Sequence, residues 1–199
     1  MIVRALLTNV QSAVPESCLR RVSSDSSPGT VSHVQSLSPS VKRLQLHRKK
    51  NLVNVFLRNN PCTVKPLLNE YAGDAITILE AWRRQQDTPG DYAAAREAVE
   101  LMEPLQLCGG IFYVDDQPAA YSLGEELAQG RMWVTHFEKA VTDERYKGIY
   151  QYVNQSFVSI LPEKYELINR EQDLGDPGLR QAKESYKPVG FVKKYRASR

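Results

Sequence analysis

Residues 131–161 read RMWVTHFEKAVTDERYKGIYQYVNQSFVSIL, and the change of period inside this stretch decides the fold. Arg131 to Lys139 is rich in aromatic and β-branched side chains and reads as a strand. Tyr146, Ile149, Tyr150, Val153, Phe157, Ile160 and Leu161 recur at the spacing of one helix face, so residues 144–161 read as a helix. Thr142-Asp143-Glu144 turns one into the other. A helix N-terminus presents free N–H groups and the positive end of a dipole, which suits a phosphate. Arg145 and Lys147 add positive charge there, and Gly148 lets a ligand approach the backbone. Arg145, Lys147 and Gly148 are therefore the candidate cofactor-binding residues.

Upstream, Ile111 to Val114 and Ala119 to Glu125 read as two strands of a hairpin around the turn Asp115-Asp116-Gln117-Pro118. Cys108-Gly109-Gly110 reads as a break before them. Helices are expected over 41–59, 74–86 and 91–106, the first carrying Leu44, Leu52, Val55 and Phe56 on one face. Asn59-Asn60-Pro61 ends it, because the residue before proline disfavours the α region. Downstream, Tyr165 to Asn169 reads as a strand and residues 177–186 as a short helix with Asp176 as its cap. Val189 to Tyr195 closes the order as a last strand.

The 199 residues suffice for one domain plus a tail; 42% are hydrophobic and 25% charged, the balance of a globular chain. A formal net charge of +3 is too small to imply nucleic acid without clustering. Three distant cysteines with no CxxC pair point to free thiols in a reducing cytoplasm rather than zinc or disulfides. No apolar run is long enough to span a bilayer. Residues 1–40 hold ten serines, no aromatic residue and no sustained period, and read as a poorly ordered leader outside the domain at 41–199.

The loop at 145–150 resembles the pyrophosphate loop of the GNAT acyltransferases, R/Q-x-x-G-x-G/A, matched by Arg145 and Gly148 but with Tyr150 at the last position. Residues 168–175 (INREQDLG), 178–188 (GLRQAKESYKP) and Lys194-Tyr195 resemble the C-terminal domain family of phosphatidylglycerol lysyltransferases. Residues 46–57 (LHRKKNLVNVFL) are similar to its basic helix, and His136-Phe137-Glu138-Lys139-Ala140 also fits. The likeness covers about residues 42–197. It implies an α+β, GNAT-like fold with a mixed, mainly antiparallel sheet flanked by helices. It implies acyl or aminoacyl transfer, with acyl-CoA or aminoacyl-tRNA as co-substrate, nothing bound tightly, and an anionic lipid as a peripheral partner. Family members usually carry a second acyltransferase-like half ahead of this one, so the resemblance also implies a fragment or truncated copy.

Such chemistry needs a base, an oxyanion donor and a cradle for the carrier. Glu171 and Asp173 alternate just past a strand and are candidate bases, or else salt-bridge partners of Arg170, Arg180 and Lys183. His136 and Glu138 alternate on the strand at 131–139, and Tyr186 ends the last helix; His136 and Tyr186 complete the catalytic candidates. Asn169, Arg170, Gln172 and Lys183 are candidate substrate-binding residues. Arg48, Lys49 and Lys50 load the first helix with charge that suits a polyanion such as tRNA, a CoA phosphate or a lipid surface. Two functions stay open: an active transferase, or an inactive module that binds a polyanion through this helix.

Overall fold

The computed structural model describes residues 22–23, 31–36, 39–173, 175–193 and 196–197, with side chains from residue 49 to 192 apart from 174. Nine strands are described: β1 (Val22–Ser23), β2 (Val31–Ser36), β3 (Cys62–Pro66), β4 (Cys108–Val114), β5 (Gln117–Leu127), β6 (Met132–Ala140), β7 (Leu167–Asn169), β8 (Gly190–Lys193) and β9 (Arg196–Ala197). The helices are α1 (Pro39–Asn59), α2 (Ala72–Arg84), α3 (Tyr92–Glu100), α4 (Ile149–Ile160) and α5 (Pro177–Glu184), with 3-10 turns at Asn69–Tyr71 and Glu144–Tyr146. Seven strands form one sheet in the order β3-β4-β5-β6-β7-β2-β8, and β1 pairs with β9 separately. Every pairing is antiparallel except β6 with β7, which α4 joins as a parallel crossover.

Burial explains the layering. In β4, Ile111 and Tyr113 belong to one core with α2 and α3, whereas Phe112 and Val114 belong to another with α1 and α4. Alternate side chains of a strand point to opposite faces, so helices must cover both sides of the sheet. The first core joins Ala75, Ile78 and Leu79 of α2 to Ala95 and Val99 of α3. The second joins Phe56 of α1 to Ile149, Val153 and Phe157 of α4. The hairpin turn is Asp115-Asp116 alone, both at positive φ (50° and 60°), the two-residue turn whose twist suits antiparallel strands.

Several boundaries differ from the sequence reading. Residues 31–36 form β2, inside the segment read as a leader: Val34 to Ser36 pair with β7, and Val31 to Val34 with β8. Its six residues show too little alternation to announce a strand, and both partners lie more than 130 residues away. Cys108-Gly109-Gly110 continues β4 rather than breaking it, since all three pair with β5. The expected helix at 91–106 ends at Glu100, and Gln106 at φ 55 cannot be helical. The helix expected from 144 starts at Ile149, because Gly148 at φ 100 and ψ 0 is left-handed. On α1, Val53 and Phe56 are buried while Val55 is exposed, so the inward stripe runs Lys49, Leu52, Val53, Phe56.

Candidate functional site

The parallel pairing of β6 and β7 covers only Met132–Val134 against Leu167–Asn169. Beyond Val134 the two chains separate, and a cavity of about 610 Å³ opens between Thr135–Lys139 on one side and Arg170–Gln172 on the other. Helix α5 supplies Leu179, Ala182 and Lys183, α1 supplies Lys49, α4 supplies Tyr150 and Gln151, and Trp82, Asp91 and Ala94 close the far end. A bulge shapes the β6 wall. Leu123 faces Phe137 and Gly124 faces Thr135, which leaves His136 as an extra residue. The cores record the same shift: Trp133 packs with α4, but Phe137, four residues on, packs with α2 and α3. Bulges re-aim side chains next to sites, and this one turns His136 into the cavity.

His136 is held between two carboxylates: Nε2 lies 3.1 Å from Glu125 and Nδ1 3.4 Å from Glu171, with the imidazole side chain 6% exposed. Burial works against the imidazolium, but hydrogen bonds and charge from Glu125 and Glu171 outweigh it and hold the ring above its ordinary value. Glu171 reaches His136 from an uncommon backbone conformation, φ 56. Two neighbours hold it there. The Asn169 Oδ1 accepts the Glu171 N–H at 2.9 Å. The Lys183 ammonium donates to the carbonyls of Arg170, Glu171 and Gln172 at 2.6, 3.1 and 2.6 Å. Lys183 thus spends its donors on the chain that carries Glu171, while burial, then Arg170, lowers it to about 8.

A raised histidine stabilises the fold below its unfolded value, near 6.5, and that stabilisation is lost as pH rises through the folded value. The difference in unfolding free energy between wild type and His136→Gln is therefore expected to shrink from pH 6 towards pH 9. Imidazole NMR would report a midpoint above 6.5; a midpoint at or below it would remove the double-carboxylate account.

Another part of the wall is cationic. The Lys49 ammonium sits 3.4 Å from the Tyr186 ring centroid, and the Arg170 guanidinium 4.8 Å from the same ring. Arg170 is paired with Glu138 through Nη2 at 3.1 Å. Burial raises the Tyr186 hydroxyl above its ordinary value. At the far end, Lys139 bonds Asp91 at 2.5 Å and lies 3.7 Å from the Trp82 ring.

The family described as phosphatidylglycerol lysyltransferase, C-terminal, matches residues 39–198. The chain belongs to that family. An uncharacterised protein of Mycoplasmoides gallisepticum is 24% identical over 159 residues, 75% of this chain and 49% of its own length. A conserved protein of unknown function from Bacteroides thetaiotaomicron has a solved structure 30% identical to this chain, with TM-score 0.75, covering 85% of this chain and 59% of that one. This family domain thus spans about half the length of these relatives. A tandem GNAT protein from the clavulanic acid biosynthesis pathway, 9% identical, superposes with TM-score 0.54 over 88% of this chain and 53% of that one. The fold is GNAT-like, and no helix among the described residues is long and apolar enough to cross a membrane.

Within this family domain, the candidates His136, Glu171, Gln172, Arg170, Lys183 and Tyr186 all line the cavity, together with Glu138. Lys49, read as part of a surface polyanion patch, joins them instead, while Lys50 is exposed and the Arg48 side chain lies outside the described residues. Asn169 is buried behind the wall, holding the Glu171 N–H. Asp173, read as a possible base, is 1% exposed and accepts from Arg180 at 2.6 and 3.1 Å and from the Gly175 N–H at 3.0 Å. Those bonds tie the loop to α5. Arg145, Lys147 and Gly148 do not reach the cavity. Arg145 is bound to Asp143, Lys147 is exposed, and a Cβ on Gly148 would stand 2.7 Å from the Leu52 carbonyl oxygen of α1. The glycine there makes room for the close passage of α1. The sequence reading missed Glu125, Asp91 and Lys139, whose roles depend on pairings across strands and helices.

Proposed function

We propose that the domain transfers an acyl or aminoacyl group to an amine or hydroxyl acceptor held in the cavity between β6 and β7. The observation that carries this reading is Glu171, fixed in a left-handed conformation with its carboxylate against His136 inside that cavity. The Glu171 carboxylate accepts the proton from the attacking group and returns it to the departing CoA thiolate or tRNA ribose oxygen as the tetrahedral adduct collapses, while His136, anchored on Glu125, holds that carboxylate in place. The edge of β6 beyond Val134 has left its partner strand. Its main-chain N–H groups suit the carbonyl oxygen of the donor as charge develops on it.

Acyl-CoA and aminoacyl-tRNA are the proposed donors, in a cytoplasmic setting with peripheral contact to anionic lipid, as family membership suggests. The closed packing at Gly148 and the cavity-lining Tyr150 favour an entry route other than the loop at 145–150. They also favour the second reading, a module that binds a polyanion without chemistry. Purified protein supplied in turn with labelled aminoacyl-tRNA and labelled acyl-CoA, with an amine or an anionic lipid as acceptor, separates the two. Glu171→Gln is expected to reduce transfer about a hundredfold, the scale of a lost general base, at unchanged circular dichroism. Donor binding without transfer by the wild type would replace the first reading by the second.

A further inference from the structure

Lys49 and Arg170 are two cations placed on one tyrosine ring at the cavity wall, and like charges held this close repel unless an anion lies between them. Glu138 answers only part of that charge, through Arg170 Nη2. The Tyr186 hydroxyl also interacts with this guanidinium, and Nη1, sealed from solvent, has no well-aligned acceptor. Such a buried donor costs free energy unless something accepts from it. The Lys49 ammonium makes no ion pair among the described residues and rests on the face of Tyr186. Both side chains border open cavity space.

We propose that Lys49, Arg170 and Tyr186 form an anion subsite that takes a singly charged oxyanion of the substrate, a carboxylate or a phosphodiester. The anion accepts from Lys49 Nζ, the Arg170 guanidinium held behind it by Glu138 adds its positive charge, and the Tyr186 ring carries both cations. One negative charge is what the site lacks: Lys49, Arg170 and Lys183 face the two carboxylates of Glu138 and Glu171. Glu171 follows Arg170 directly in the chain, so a ligand anchored here has its reactive end beside Glu171 and His136. The subsite deepens the transferase reading by giving its acceptor an anionic group, and rests on that reading only for the ligand's being the acceptor.

Burial and Arg170 lower Lys49 to about 8. An anion at its ammonium restores the proton, so binding takes up protons in a window above about pH 8 and below the ordinary lysine value. The probes are sodium acetate, dimethyl phosphate, and vesicles of phosphatidylglycerol against phosphatidylcholine. Calorimetry at pH 9 in two buffers of different ionisation enthalpy reads proton uptake by the soluble probes, and co-sedimentation reads the vesicles.

A carboxylate source is indicated by acetate binding with uptake, a free phosphodiester by dimethyl phosphate, and a lipid headgroup by preference for the anionic vesicles. In each case Lys49→Met is expected to weaken binding at least tenfold, and Lys49→Arg to restore most of it. The inference is overturned if no probe binds, if soluble binding takes up no protons, or if Lys49→Met changes nothing while remaining folded. Anion binding without transfer by the wild type would sink the transferase reading alone. Transfer with no dependence on Lys49 would sink this one alone.

Discussion

Lys183→Met is expected to lower the unfolding free energy by about 3 kcal/mol and to move the His136 midpoint down towards its ordinary value. Methionine keeps most of the volume, so no large cavity forms. What is lost is the ammonium that donates to three successive carbonyls, those of Arg170, Glu171 and Gln172. A hydrogen bond from a charged donor is worth about 1.5–3 kcal/mol, offset here by the cost of burying the ion. The carbonyls left behind need new partners, and the chain relaxes. Glu171 then gives up its left-handed conformation, which costs about 1–2 kcal/mol to hold. Its carboxylate leaves the 3.4 Å contact with His136. Urea unfolding would give the stability, and imidazole NMR the midpoint. A purely packing role for Lys183 predicts the first change without the second. Loss of less than about 1 kcal/mol together with an unmoved midpoint would refute both parts.

That coupling also shows where sequence reading stops. The aromatic and β-branched content of residues 131–139 and the period of 144–161 were enough to place a strand and a helix, because both signals are local. The resemblance over 168–188 and the strand at 131–139 singled out His136, Arg170 and Tyr186 one by one, and the structure brings them with Glu138 to one cavity. Which carboxylate faces the cavity was not legible. Glu171 and Asp173 look alike in a line of sequence, and only the structure shows Asp173 consumed by Arg180 and Gly175 while Glu171 faces His136. The bulge at His136 was hidden for the same reason, since it exists only relative to β5. Strand β2 has too few residues and too weak an alternation to outweigh a serine-rich surrounding, and its pairing to β7 and β8 is entirely long-range. The basic run at 48–50 reads as one patch but is split by helical geometry: Lys49 turns to the cavity and Lys50 to solvent.

The glycine at 148 separates the two accounts of the loop most sharply. Gly148→Ala is expected to cost about 3 kcal/mol of stability. The added Cβ must tolerate φ 100, a conformation that costs an L-residue about 1–2 kcal/mol. It also meets the Leu52 carbonyl oxygen at 2.7 Å and the Phe56 Cβ at 3.4 Å. The nearer obstacle is main chain, so α1 has to move as a body, and overpacking of that kind costs about 1–3 kcal/mol. A displaced α1 carries Lys49 away from Tyr186 and Phe56 away from its contact with Tyr152, whose ring centroid lies 5.2 Å off. Stability and anion binding should therefore fall together. Arg145→Ala provides the contrast: its side chain is 71% exposed and paired with Asp143, and its removal is expected to cost about 0.5 kcal/mol or less. A phosphate cradle at this loop predicts the reverse order, with donor affinity lost in both variants and stability unchanged in both. Denaturant unfolding of the two variants, set beside calorimetry with acyl-CoA, decides between a glycine kept for a ligand and one kept for the close passage of α1.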